Sequence, residues 1–248
     1  MLSRILTYLD RKKNIKRLSK SLMQLKEQEA KTKKRFQLEP HDIFPFLSDN
    51  TNATEFDRHY IYHPAWAVRI LTQTNPAVHT DIASSLHFCS IVSAFIPIRF
   101  YDYRPAELML SNLETAHQDL TQLSFESNSI DSLSCMHSVE HVGLGRYGDT
   151  LDYDGDQKAM SELARVLKLG GNFLFVTPIG AKAKIVFNAH RVYTKELILN
   201  AFIKYGLTLK EFSLIPEKSA DGGIVINPTN ELLEKQVYGC GCFWFTKQ

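Results

Sequence analysis

A chain of 248 residues, 44% of them hydrophobic, suffices for one large domain with a full core. No apolar run approaches the roughly 18 residues a membrane span needs, and the start, MLSRILTYLDRKKN, lacks the apolar stretch and cleavage site of a secretory signal. The net charge of +2 hides an asymmetry: residues 1–36 carry twelve Lys/Arg against three acids, a net +9, which leaves −7 on residues 37–248 and argues against a nucleic-acid-binding core.

The basic head has Leu2, Ile5, Leu6 and Leu9, then Ile15, Leu18, Leu22 and Leu25, at helical spacings, with no Pro or Gly before Pro40. This predicts one or two amphipathic helices over 1–36. Three uses stay open: packing on the domain or on a twin subunit as a homo-oligomer, docking on an anionic membrane surface, or binding RNA or another acidic partner. Residues 37–75 read as a connecting segment followed by a short helix that Pro64 opens (PAWAVRILTQ). From there strands and helices alternate over 76–248. Strands are expected at 78–83, 98–103, 113–118, 130–136, 172–178, 207–215 and 237–246. Helices are expected at 156–168 and 194–205. Such alternation implies an α/β fold with a mostly parallel sheet, and the last two strands, with no helix between them, a terminal antiparallel pair.

Four cysteines, Cys89, Cys135, Cys240 and Cys242, make no CxxC pair and read as core thiols of a reducing cytoplasm. No second Cys/His pair has a spacing that matches Cys240 and Cys242, so no metal is expected there. The segment HSVEHVGLGRYGD, residues 137–149, follows a buried strand. Its HxxEH spacing fits a zinc peptidase only inside a helix, and two glycines follow too soon for that. Asp149, Asp152, Asp154 and Asp156 resemble the start of a calcium loop, but the twelfth position from Asp152 is Leu163, so capping of the next helix is the simpler reading.

The order of these landmarks resembles the class I S-adenosylmethionine-dependent methyltransferases. The resemblance spans about residues 76–248. A strand ends in Asp81-Ile82-Ala83-Ser84-Ser85 and the next in Asp102. Asp119 precedes LTQLSFESNSIDSLSC, and VEHV, ELARVLKLGGNFLFVTP and HRVYTKELILNAFIKYGL follow. GLGRYGD with FNAHRVYT is similar to a narrower methyltransferase-like family of unknown function met in bacterial surface-polysaccharide loci. The resemblance implies a Rossmann-like fold with a seven-stranded sheet, a cytoplasmic transferase, and S-adenosylmethionine as cofactor. It implies a sugar or glycan precursor as acceptor, and, with the basic head, a peripheral place on the inner face of the membrane.

By the same resemblance Asp81, Ala83, Ser84, Asp102, Asp119, Leu120 and His137 border the cofactor. Asp102 would accept from the ribose hydroxyls, and Asp119 and the Leu120 backbone would meet the adenine. Where the family has several glycines in the first loop, this chain has Ala83, Ser84 and Ser85. Two alternatives therefore stand beside methyl transfer: a non-catalytic binding or scaffold protein of a glycan-assembly complex, or a transferase with another donor such as a nucleotide-sugar. His141 is the candidate general base, with Glu140 beside it, since an imidazole titrates near neutrality; the competing reading is a hydrogen-bonded structural pair. Arg146, Tyr147, Asp149, Asn188, His190 and Arg191 are the candidate substrate contacts, the arginines because a guanidinium suits an anionic group.

Overall fold

The computed structural model describes residues 2–47 and 49–248, with side chains from Asp10 onward apart from residue 48. They form two compact units, one ending at Phe56 and one spanning Asp57–Gln248. In the first, α1 (Leu2–Glu29) is a single uninterrupted helix. The side chains of Leu2, Ile5, Leu6 and Leu9 lie outside the described residues. Ile15 and Leu25 are exposed, and Leu18 and Leu22 are half-buried. No helix among the described residues is long and apolar enough to cross a membrane.

The second unit begins with α2 (Arg58–Thr74). Pro64 does not open this helix, as the sequence reading had it, but sits in its second turn. The true start is the Asp57 cap, whose carboxylate accepts from the Tyr60 N–H at 3.2 Å. His59, His63, Trp66, Ala67, Ile70 and Leu71 recur every three or four residues and form the buried face. Asn75 ends the helix in the left-handed region and its N–H donates to the Leu71 carbonyl.

Five parallel strands follow the predicted order: β1 (His79–Ile82), β2 (Ile98–Asp102), β3 (Leu113–His117), β4 (Ile130–Met136) and β5 (Leu167–Ile179). Between β1 and β2 lies α3 (Leu86–Val92), which the sequence reading missed because it is short and carries few polar residues. α4 (Gly155–Val166) links β4 to β5. β5 begins five residues before its predicted start, since Gly170 and Gly171 form an irregularity in the strand rather than a break before it. The hairpin β6 (Lys184–Val186) with β7 (His190–Val192) falls between the predicted strand at 172–178 and helix at 194–205, where no element is expected. α5 (Lys195–Ile203), β8 (Leu207–Ile215), a two-residue β9 (Val225–Ile226), α6 (Asn230–Glu234) and β10 (Gly239–Lys247) complete the unit.

The main sheet runs β3-β2-β1-β4-β5-β10-β8-β9, with β10 antiparallel to both neighbours. This is the Rossmann-like class I methyltransferase arrangement. The eighth strand, beyond the seven expected, is the short edge piece β9. Strand alternation sends side chains to two cores. Phe173 and Phe175 of β5 and Phe243 and Phe245 of β10 pack with α4 and α5. Leu174, Val176, Cys240 and Cys242 face α2 and α3. All four cysteines are buried and unpaired. Strand order reverses between β1 and β4, which opens a crevice at their carboxyl ends.

Candidate active site

A cavity of about 450 Å³ occupies that crevice, bordered by the ends of β1, β2 and β4 and by the loops that follow them. The β1 and β4 loops are built alike. β1 ends in Ala83, which adopts φ 60°, and β4 ends in His137 at φ 56°. Both are left-handed conformations that cost a non-glycine residue about 1–2 kcal/mol. Ala83 thus takes a backbone state that glycine adopts without strain. Surrounding bonds hold it there: its N–H donates to the Tyr101 carbonyl at 2.7 Å, and its own carbonyl accepts from the Ser138 hydroxyl. Ser84 Oγ accepts from the Met136 N–H at 3.0 Å, lacing the two loops together. Ser85 caps α3 by accepting from the Phe88 N–H.

Asp81 is fully buried and does not border the cavity. Its oxygens accept from the Ser84 N–H at 3.0 Å, the Ser134 hydroxyl and the Cys89 thiol. Burial pushes its carboxyl up to about 6, against the pull of those donors. Asp81 therefore shapes the first loop from beneath. Asp102 borders the cavity at the end of β2, with Oδ1 accepting from the Arg104 N–H at 2.7 Å. Asp119 and Leu120 border it too, and Asp119 closes a turn by accepting from Thr121 N–H and Oγ1 at 2.8 and 2.7 Å.

The segment 137–149 is not an α-helix. Val139–His141 form a single 3-10 turn, so the two histidines do not share a helical face. His137 borders the cavity and its Nδ1–H donates to Glu140 Oε1 at 2.9 Å. Glu140 is buried, and its Oε2 has no hydrogen-bond partner. His141 also borders the cavity. Its Nδ1–H donates to the Ala189 carbonyl at 2.6 Å, a carbonyl that Arg146 shares at 3.1 Å. That bond leaves Nε2, 3.8 Å from Glu140 Oε1, as the nitrogen with a lone pair. Burial lowers the His141 pKa while the Glu140 charge opposes, so the ring is neutral at neutral pH.

The candidate substrate contacts divide. Tyr147 borders the cavity and lies between Arg104 (4.7 Å) and Arg146 (5.2 Å), edge-on to His141. Asp149 reaches the cavity but its oxygens are spent on the N–H groups of Tyr147, Gly145 and Gly143. These donors outweigh the desolvation that acts against them and hold its pKa low. Gly143, at φ 78°, has no room for a side chain: a Cβ there would overlap the Asp152 carbonyl.

Arg191 is not free for an anionic substrate. It is buried, Nη1 donates to the Val142 carbonyl at 2.6 Å, Nη2 donates to the Tyr153 carbonyl at 2.9 Å, and Nε lies 3.6 Å from Asp156. It is the clamp beneath the 142–153 loop. Asn188, whose Nδ2 donates to the Leu144 carbonyl at 3.4 Å, and His190, which packs on Tyr238 at 4.9 Å, stand outside the cavity lining, as does Arg146.

Two of the aspartates after the loop are paired. Asp152 meets Lys158 at 2.6 Å, and Asp156 accepts from Tyr193 Oη at 2.9 Å. Asp154 occupies the cap position of α4 without a side-chain bond. Tyr60 and Arg104 are cavity residues that sequence reasoning missed. Arg104 could have been flagged by its place two residues after the strand-ending Asp102. Tyr60 could not, since its helix turn was read as a loop.

Residues 104–221, just under half of the chain, match a family model described as Caenorhabditis protein of unknown function, DUF268. No curated protein matches in sequence. Among solved structures the chain is similar to the 1,6-didemethyltoxoflavin-N1-methyltransferase of Burkholderia thailandensis, solved with 1,6-didemethyltoxoflavin and S-adenosylhomocysteine. That TM-score is 0.54 at 12% identity, over 75% of this chain and 78% of that one. A putative sarcosine dimethylglycine methyltransferase from Galdieria sulphuraria gives 0.52 at 13% identity, over 73% and 84%. A TehB-like S-adenosylmethionine-dependent methyltransferase from Corynebacterium glutamicum gives 0.50 at 17%, over 76% and 89%. At these identities the likeness is one of fold, and fold alone does not fix an activity.

Proposed function

We propose that the protein is an S-adenosylmethionine-dependent O-methyltransferase acting on a hydroxyl of a sugar or glycan precursor. The observation that carries this reading is the cavity at the switch point of the sheet, with Asp102 at the end of β2 and Asp119 just beyond β3 on its wall. Its volume of about 450 Å³ lies within the roughly 300–1,000 Å³ of small-molecule sites. The residues fit the cofactor. A carboxylate at Asp102 can accept from a ribose diol, and Leu120 can offer its backbone to an adenine edge. The Ala83–Ser84 turn, free of bulky side chains, allows the backbone to approach the methionine part. When bound, the cofactor supplies an electrophilic methyl group.

The chain's own work is alignment and proton removal. Alignment in favourable cases supplies about 7–11 kcal/mol. His141 Nε2 is the candidate acceptor of the hydroxyl proton, because Nδ1 is committed to the Ala189 carbonyl. Tyr147, with Arg104 and Arg146 over its ring, brings a phenol and two cations to the cavity rim. The polysaccharide setting is part of the proposal, as is a peripheral place on an anionic membrane through α1. Salt-sensitive sedimentation with anionic liposomes supports the latter, and no binding at low salt removes it.

Calorimetric titration of S-adenosylmethionine and S-adenosylhomocysteine tests the core reading. Micromolar binding is expected, weakened at least about tenfold, or 1.4 kcal/mol, by Asp102→Ala. Folded protein that binds neither overturns it and favours another donor such as a nucleotide-sugar, or a non-catalytic binding role.

A further inference from the structure

We propose that His59, His137 and Cys240 form a binding site for one zinc-class divalent metal ion in the wall of the cavity. The three residues come from α2, the end of β4 and the start of β10, so no sequence spacing reveals them together. All three are buried, and each offers one ligand atom within 4.8 Å of the other two. Cys240 Sγ lies 3.4 Å from His137 Nε2. The His59 and His137 rings are near-parallel at 5.2 Å, so joint coordination requires the His59 ring to turn until its nitrogen points at the ion. Two imidazole nitrogens and a sulfur suit zinc-like ions and not magnesium or calcium, which take oxygen ligands.

The surroundings are those of a ligand shell. His137 Nδ1–H is fixed by Glu140 at 2.9 Å, which orients Nε2 toward Cys240 as carboxylates orient metal-binding histidines. His63 Nδ1–H donates to the His59 carbonyl at 2.7 Å, and the His63 ring lies edge-on to His137 at 5.1 Å. Among the described residues, three buried side-chain atoms lack hydrogen-bond partners: His63 Nε2, Glu140 Oε2 and Thr177 Oγ1. Thr177 pairs with Gly241 and, by strand alternation, lies on the other face of the sheet from Cys240, so its hydroxyl is not part of the site. Buried polar atoms without partners are costly, and the other two sit on neighbours of a proposed ligand, His137.

Three protein ligands leave a fourth position, as at zinc sites that bind water or substrate. Of the three ligands, His137 also borders the cavity. Binding forms two metal–nitrogen bonds and one metal–sulfur bond, and the Cys240 thiol proton passes to solvent. Ligand distances of about 2.0–2.3 Å draw the three atoms closer together. The site does not depend on the methyl-transfer reading.

The full chain, stripped with a chelator, is titrated with zinc against a chromophoric competitor and with cobalt, in the absence of S-adenosylmethionine. One metal per chain is expected, with a thiolate-to-cobalt charge-transfer band. Cys240→Ala abolishes that band and weakens zinc at least about tenfold, whereas Cys242→Ala keeps both. Wild-type protein that takes up no stoichiometric metal overturns the proposal whatever the variants do. So does a band that survives in Cys240→Ala, or that depends on Cys242 instead. In that case the thiol serves as a hydrogen-bond donor to His137.

Discussion

The loops after β1 and β4 lie side by side on the cavity wall, and both begin with a left-handed non-glycine residue, Ala83 and His137. They are held by different means. The first is fixed by hydroxyls, backbone groups and the buried Asp81 beneath it, and it presents little but backbone to the cavity. The second is fixed by charged and aromatic side chains, namely Glu140, Asp149, Arg191 and the ring cluster around His137. The difference shows how one structural problem, a strained strand end at a site, is solved to leave either a smooth surface or a set of reactive groups.

The strongest way to break the second loop is Arg191→Ala. It strands the Val142 and Tyr153 carbonyls and leaves Asp156 without its buried cation, at a cost of about 4 kcal/mol, read from denaturant unfolding. Asp81→Asn probes the first loop through pH. Burial pushes the folded carboxyl up to about 6, from 3.8 for an unperturbed aspartate. Its contribution to stability is therefore present below about pH 4 and is lost as pH rises through 6, on the order of 3 kcal/mol. His79, held down to about 3 by burial, acts with the opposite sign as pH falls below 6.5. The Asn variant isolates the Asp81 share, and a melting-temperature profile between pH 4 and 7 parallel to wild type refutes it.

Gly143→Ala tests the crowding of the second loop. A methyl at φ 78° against the Asp152 carbonyl costs about 2 kcal/mol and, by reshaping the cavity wall, is expected to weaken ligand binding; an unchanged melting temperature contradicts this. Ser84→Ala removes the acceptor of the Met136 N–H, a loss of about 1 kcal/mol by the same unfolding assay. The smallest effect is that of Ala83→Gly. Relief of the left-handed strain exceeds the added chain entropy by only about 0.5 kcal/mol, so a slight rise in melting temperature is expected, and a fall refutes the strain at that turn.

Some of this was legible in the chain alone. Short, largely apolar runs placed β4 and β8 at 130–136 and 207–215, because strands covered on both faces are buried at nearly every position, as in β4 and the second half of β8. The acids ending β2 and following β3, and the polar segment after β4, marked the rim of the crevice. The first two turns of α2 were not legible, since their buried face is made of histidines rather than aliphatic residues. Nor was the work of Arg191, which reads as an exposed cation until a β-hairpin turns it under the loop it clamps. Local periodicity and turn chemistry thus determined most of the strands, the order of landmarks and the end of the sheet at which the cavity lies. Only the tertiary structure decided which polar groups are spent on the protein and which face the cavity. It alone brings His59, His137 and Cys240 together, because contacts between residues distant in the chain depend on how the elements pack.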